Sequence, residues 1–469
     1  MYNPLTPQLI QEVASIVGSA NIIADQEQML DYAHDEYAAE EVRTLPELVV
    51  KPQSPQEIAQ IVKLCNRERV PLTPRGAGTG LCGGCVAVQR GIVLCFERLN
   101  RVLEVDNANL TATVQTGVTL QEFYQAVEAQ GLFFPPHPGD ETAMIGGVIA
   151  TNAGGARAIK YGVIRNFVKG IEVVLPSGQI ETIGGKYIKN SSGYSLLNLL
   201  IGSEGTLGIM TKATISLLSP PNAVYTLVVP FRDLHRAIGT VPKILQSGIL
   251  PMAVEFIEIE PIRVSEAALE RVWPSHEGQA HLMFIVDGSS EDEVLAMAER
   301  IQEICLANDA IDVLVADSRE KQQNVLEIRS QIYATMKNHL MEILDVTVPR
   351  ADIAAFVADI QALAEEFATW LPTYGHAADG NVHVHIMKER FDGGTWSAIP
   401  NHQAIYQPVR DRIHELGKRY GGIVSGEHGI GLAKKNYLPA FVGPTQIELM
   451  RGIKALFDPN NILNPGKIL

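Results

Sequence analysis

PRGAGTGLCGG, residues 74–84, is the stretch on which the fold of this chain turns. Five glycines fall in the ten positions 75–84. Closely spaced glycines let backbone N–H groups approach a pyrophosphate without side-chain interference, forming an anion nest. Gly78, Gly80 and Gly83 make a formal G-x-G-x-x-G. A dinucleotide fold of the nicotinamide type needs a strand before that motif and a full crossover helix after it. Here only residues 85–90 separate Gly84 from the next strand expected, Gly91–Phe96. No crossover helix fits there, so the nicotinamide reading fails on geometry. One such loop is equally well a structural turn. Two further glycine stretches, GGVIATNAGGA at 146–156 and 202–208, favour several loops converging on one extended ligand.

Outward from this loop, residues 7–68 read as helix, strand, helix. Ser54-Pro-Gln-Glu57 is a capping box with proline at the first helical position, predicting a helix over 55–68. Strands are expected at 102–105 and 111–116, and Thr119-Leu-Gln-Glu122 is a second capping box opening a helix to about Gln130. A hairpin is expected at 171–175 and 180–183. Ser-Pro-Pro near 218 marks a boundary. Beyond it, strands near 225–230, 253–258, 281–287 and 311–316, with helices at 232–247 and 291–308, give the order β-α-β-β-α-β of a ferredoxin-like unit. The last third reads as helix-rich, over 318–342, 351–368, 400–420 and 445–457.

With 469 residues the chain exceeds what one core usually serves. The formal charge of -15 argues against nucleic acid or an anionic membrane as partner, since both need a basic footprint. No apolar run approaches the ~20 residues of a membrane span. The start, MYNPLTPQLIQEV, lacks a basic segment followed by an apolar one, so no signal peptide is expected and the expected location is cytoplasmic. Of five cysteines only Cys82 and Cys85 lie close together, and no second pair completes a zinc or iron–sulfur site. They read as small residues in a tight loop. The chain therefore cannot carry its own iron–sulfur cluster.

YGHAADGNVHVHI, residues 374–386, sets His376 in a glycine-flanked loop and His383 and His385 on a following strand. The period of two puts these last two on one face. SGEHGIG, 425–431, holds Glu427 and His428 between glycines, in an exposed, tightly turned backbone. Two neutral imidazoles and a carboxylate make a three-ligand site with open positions, as catalytic divalent metals require. The same groups also suit acid–base work, and the residues alone leave both readings open.

PRGAGTGLCGG, HPG at 137–139, IGGVIATNAGGARAIKYG at 145–162 and NSSGYSLLNLLIGSEGTLGI at 190–209 together resemble the FAD-binding domain of the vanillyl-alcohol-oxidase/p-cresol-methylhydroxylase (PCMH) superfamily. The C-terminal half, through FDPNNILNPGKIL, resembles the FAD-linked oxidase C-terminal domain. The group resembled is that of D-lactate dehydrogenases and glycolate oxidase D-subunits, with the D-2-hydroxyglutarate dehydrogenases. The resemblance implies an α+β fold in three parts: a two-part PCMH-type FAD-binding domain over 1–220, a ferredoxin-like substrate domain with the metal site over 221–430, and a helical segment over 431–469 packing back on the first.

Carried onto this chain, the resemblance assigns the FAD pyrophosphate to Arg75, Gly76, Ala77, Gly78, Thr79, Gly80 and Leu81. Pro138, Gly139, Gly146, Gly147, Asn152, Ala153, Gly154 and Gly155 would line the flavin, and Gly202, Glu204, Gly205 and Gly208 would add to the same site. It implies non-covalent FAD rather than attachment at His137. It makes His376, His383 and Glu427 ligands of a divalent metal (Zn, Fe or Mn) and His428 the catalytic base. His385 stands where relatives often carry asparagine and is left without a role. Arg329 in LEIRSQIYATMK matches the arginine that grips a substrate carboxylate, a task for which its planar fork is suited; without the resemblance it reads equally as a surface charge. Arg350 is a weaker candidate. Glu342, Ile343 and Leu344 occupy a stretch where some relatives carry a substrate-binding lysine, which argues against a long dicarboxylic substrate.

The implied reaction is FAD-dependent oxidation of a small D-2-hydroxy acid, D-lactate favoured, to the 2-keto acid. The metal would acidify the substrate hydroxyl, His428 remove its proton, and the C2 hydride pass to flavin N5. Electrons would go to a redox protein, an electron-transferring flavoprotein or an iron–sulfur subunit; a glycolate or D-2-hydroxyglutarate enzyme using such a subunit or a quinone is the alternative. A non-catalytic flavin-binding subunit would keep the glycine loops and lose the histidines, glutamate and arginine that this chain retains.

Overall fold

A computed structural model describes residues 2–37, 42–316 and 318–469. The chain forms two compact units: Met1–Gly154, Val163–Pro220 and Glu427–Leu469 make the first, and Gly155–Gly162 with Pro221–Gly426 make the second. Two boundaries thus differ from those expected. Residues 155–162 join the second unit because Lys160 Nζ and Tyr161 Oη both bond the buried Asp287 carboxylate, at 2.7 and 2.6 Å. Residues 427–430 join the first because the Glu204 carboxylate accepts the N–H groups of Ile430 and Gly431, each at 2.8 Å.

The first unit carries two sheets. Strands β1 (Ile22–Ile23), β2 (Leu48–Val50), β3 (Leu72–Arg75) and β4 (Ile92–Cys95) lie in the order β1-β2-β4-β3, parallel except for β1. β2 and β4 are continuous apolar runs because both faces are covered. Helix Pro55–Glu68 covers them, with Ile58, Ile61 and Val62 in the same core as Leu48, Ile92 and Leu94. Ser54 Oγ caps it, accepting the Glu57 N–H at 3.2 Å. Each such fully buried aliphatic contributes about 1.5–3 kcal/mol. The end of the chain adds to the edge of β3: Leu72 N–H bonds Ile462 O and Asn464 N–H bonds Leu72 O, both at 2.8 Å, and Leu463 enters the core. The second sheet is antiparallel, with β5 (Val102–Asp106), β6 (Thr111–Gln115), β7 (Val168–Val174), β8 (Ile180–Gly184) and β9 (Ile209–Ser216) in the order β5-β6-β9-β7-β8. Where a glycine-rich loop was expected from 146, a helix Ile145–Thr151 forms, because Ile145, Val148 and Ile149 share one buried face.

In the second unit, β10 (Ala223–Phe231), β11 (Ala253–Glu258), β12 (Ala280–Gly288) and β13 (Leu314–Ala316) lie in the order β13-β10-β12-β11. Helices Leu234–Gln246 and Glu291–Leu306 complete the ferredoxin-like arrangement. Helix Ile259–Leu269, not expected, lies between β11 and β12. Three more strands extend the sheet beyond β11: β14 (Leu340–Thr347), β15 (Thr373–His376) and β16 (Asn381–Met387), in the order β11-β15-β16-β14. The helix expected over 318–342 is therefore corrected to helices Arg319–Ser330 and Ile332–Met336, with a strand from Leu340. β14 is buried on both faces along most of its length, so the alternation that announces a strand is missing.

Strand geometry sorts this sheet into two faces. Val254, Phe256, Leu344, Val346, Val382 and Val384 meet the helices in the main core. Glu342 lies on this face too, opposite Ile386, where Arg410 bonds both its carboxylate oxygens and Tyr406 Oη adds a third bond. The face turned away from this core carries the polar residues.

Candidate active site

Pairing of β11, β15, β16 and β14 lines up Glu255, His376, Asn381 and Thr347 in one row, and Ile257, Tyr374, His383 and Asp345 in the next row on the same face. His385 follows, opposite Ile343. His376 is the last residue of a strand rather than part of a loop, a correction with a consequence: the backbone fixes its direction. His376, His383 and His385 thus share one buried face.

Glu255, fully buried, organises this face. Its Oε1 meets His376 Nδ1 at 2.6 Å, and Oε2 bonds Arg329 Nη2. Burial works against the ionised carboxylate, but the attraction of His376 and Arg329 outweighs it and holds Glu255 below the usual carboxylate range. Arg329 also lies over the Tyr374 ring, 4.6 Å from its centroid. Asp345 accepts from Asn381 Nδ2 at 2.6 Å and Ser425 Oγ at 2.7 Å, and its carbonyl accepts the Gly426 N–H at 3.3 Å. Arg350 is exposed in a short turn and takes no part in this cluster.

The donor set suits a divalent metal. An ionised carboxylate only accepts, so His376 donates through Nδ1 and presents its Nε2 lone pair, the orientation a metal-bound imidazole takes when a carboxylate stands behind it. The His385 Nδ1 donates to Pro372 O at 3.3 Å, which likewise leaves Nε2 as the lone-pair nitrogen. The ring of His383 lies 5.5 Å from that of His376, centroid to centroid. Glu427 and His428 belong to the first unit, as the two residues that follow Gly426 in the chain. There a side chain on Gly154 would meet Glu427 Oε2 at 2.8 Å.

The first unit also supplies a cradle for an extended cofactor. The loop 76–81 and helix Ile145–Thr151 approach closely, a Cβ on Gly76 standing 3.5 Å from Met144 Cβ and 3.9 Å from the Gly147 backbone. Gly139 and Gly147 face open space where a side chain would stand. Backbone without side chains, opening onto free space, fits a bound dinucleotide.

Other expected contributors are placed differently. The Arg75 guanidinium turns into its own loop, bonding Asp31 O at 2.9 Å, His34 O at 2.5 Å and Cys85 Sγ at 3.1 Å, so it braces the loop rather than facing a pyrophosphate. Glu204 is engaged with the 430–431 backbone. Gly205 and Gly208 make room for Pro74 and Val173. His137 stacks on Tyr124 and lies 3.2 Å from Glu141. Glu255 and Asp345 were missed: only the pairing of distant strands singles them out from other acidic residues.

Residues 220–468 match the family described as FAD linked oxidases, C-terminal domain, and residues 46–184 match the FAD binding domain family. The chain belongs to the FAD-linked oxidase family. This FAD-linked oxidase is 39% identical over 474 residues to the D-lactate dehydrogenase of Anaerostipes hadrus, covering 100% of this chain and 98% of the relative. It is 44% identical over 422 residues to the D-lactate dehydrogenase of Archaeoglobus fulgidus, covering 90% and 91%. With the glycolate oxidase subunit GlcD of Bacillus subtilis the identity is 37%, over 99% of this chain and 97% of the relative. Among solved structures, p-cresol methylhydroxylase superposes with a TM-score of 0.80 at 17% identity over 100% of this chain and 98% of that one. That likeness shows that this FAD-linked oxidase shares its fold. Among the described residues no helix is long and apolar enough to cross a membrane.

Proposed function

We propose that this flavoprotein oxidises a small D-2-hydroxy acid, D-lactate foremost, to the 2-keto acid. The observation that carries the reading is the pairing of a carboxylate-oriented imidazole, His376, with an arginine, Arg329, on one carboxylate, Glu255. An arginine suits the substrate's carboxylate, and imidazoles with outward lone pairs suit a metal near its hydroxyl. Identity of 39% and 44% to relatives named D-lactate dehydrogenase supports the substrate.

In this reading His376, His383 and Glu427 hold the divalent ion, which when bound would serve as a Lewis acid toward the substrate oxygens. Glu427 follows directly in the chain on Ser425 and Gly426, which are bonded to Asp345, the cross-strand neighbour of His383. Arg329 orients the substrate carboxylate. His428, the next residue, takes the hydroxyl proton. FAD, held by the loop around Gly76–Leu81 and the Gly146–Gly147 backbone, supplies the two-electron acceptor. Electrons then pass to a partner, an electron-transferring flavoprotein foremost, since the five cysteines offer no spacing for an iron–sulfur cluster.

Anaerobic bleaching of the bound flavin by D-lactate, L-lactate, glycolate and D-2-hydroxyglutarate, with and without chelator, tests this. Fast, chelator-sensitive reduction by D-lactate is expected. Preferential reduction by glycolate would favour the activity named for the Bacillus subtilis relative; no reduction by any acid would sink the proposal.

A further inference from the structure

We propose that Glu255 is a positioning residue that holds the His376 imidazole and the Arg329 guanidinium on its two oxygens, so that metal ligation and substrate-carboxylate capture are set by one side chain. The inference rests on the proposed function and deepens it. Glu255 lies on β11, and its cross-strand partner in β15 is His376 itself, so the sheet register brings the two together. The carboxylate is fully buried, and its Oε1–Nδ1 distance to His376 is 2.6 Å. Its other oxygen takes Arg329 Nη2 from helix Arg319–Ser330.

Each partner is thereby reduced to one useful orientation. With Nδ1–H directed at Glu255, the His376 lone pair resides on Nε2. With Nη2 on Glu255 and its Cζ over the Tyr374 ring, Arg329 cannot rotate freely. Only Nη2 of Arg329 is given to Glu255, and a guanidinium carries five N–H donors, so others are left for an arriving carboxylate. A buried carboxylate that did nothing but bind an arginine would be an expensive way to hold a fold together, since an apolar pair of the same volume often does as well.

The test uses the full-length, flavin-loaded chain stripped of metal. Zinc alone is titrated in competition with a chromophoric chelator, and kcat and KM are measured after reloading. Glu255→Gln, which keeps the shape and removes the charge, is expected to weaken zinc binding about 10–100-fold and to raise KM for the best 2-hydroxy acid more than it lowers kcat. Wild-type zinc affinity and KM in a folded Glu255→Gln would overturn the proposal. His376→Ala is the control. Should it lose zinc while Glu255→Gln does not, Glu255 has no positioning role and the metal site stands. If neither change affects zinc, the metal reading itself fails. Nitrogen NMR of labelled histidine in the wild type decides independently of metal and of whether a variant folds: His376 is expected protonated at Nδ1, and an Nε2–H form there would overturn the proposal.

Discussion

The carboxylate of Glu204 receives the backbone N–H of Gly431 at 2.8 Å, and Ile430 donates to its other oxygen at the same distance. Burial pushes the Glu204 carboxyl up, while these two N–H groups pull it back. The contact fixes the turn that carries His428 and Gly429. Glu204→Ala should therefore cost about 2 kcal/mol or more, the worth of hydrogen bonds to a charged acceptor. Urea unfolding followed by flavin release is the measurement; an unchanged midpoint would show that the turn stands alone.

Gly78→Ala should empty the flavin site. Gly78 has φ +81°, and a Cβ there would lie 2.1 Å from Arg75 Nη2. The left-handed backbone alone costs a non-glycine residue about 1–2 kcal/mol, and the guanidinium must also leave its carbonyl partners. Flavin content of the purified variant, read by absorbance, is expected to fall several-fold while the far-ultraviolet circular dichroism stays near wild type.

Gly426→Ala should separate chemistry from cofactor binding. A Cβ at 426 would lie 2.4 Å from both Asn381 Nδ2 and Thr347 Oγ1. The backbone leading into Glu427 must shift, and displacements of this order at a reacting geometry cost about 100-fold. Flavin content should be retained, and single-turnover flavin reduction should slow by roughly that factor.

His281 should make the protein acid-sensitive. It is fully buried and accepts the Trp273 Nε1–H at Nδ1, 3.0 Å away, which requires the neutral imidazole. Burial, with His276 nearby, lowers its pKa from 6.5 to about 4. The unfolded chain then binds the proton more tightly, so stability is whole above pH 6.5 and is lost as pH falls toward about 4. The loss amounts to about 3 kcal/mol over that interval. His281→Gln, which keeps an acceptor for Trp273, should flatten this dependence in urea titrations; a slope equal to wild type would rule His281 out.

What could be read from the sequence was local. Ser54 with Glu57 and Thr119 with Glu122 announce helix starts within four residues, and both N-caps form; the full capping box closes at Thr119, whereas the Glu57 carboxylate takes the Gln53 N–H. The β-α-β-β-α-β order was legible because β10 and β12 are long apolar runs separated by amphipathic helices. What was not legible depended on partners far along the chain. Glu255 sits in AVEFIEIE among three glutamates, and only a contact across 121 positions distinguishes it. Arg75 looked like an anion binder because its neighbours are glycines; that its side chain folds back beneath them depends on the carbonyls of Asp31 and His34.

The interleaving of the two units also imposes an order on biogenesis. A ribosome that has released residues up to Gly426 has delivered everything the second unit needs. The first unit at that moment lacks Ile462 and Leu463 along the edge of β3, and Glu204 lacks the N–H groups of Ile430 and Gly431. Its apolar strand edge stays open until residues 462–464 emerge. Nascent-chain proteolysis should accordingly find the second unit protected first, and the flavin taken up only once residues 430–464 have emerged.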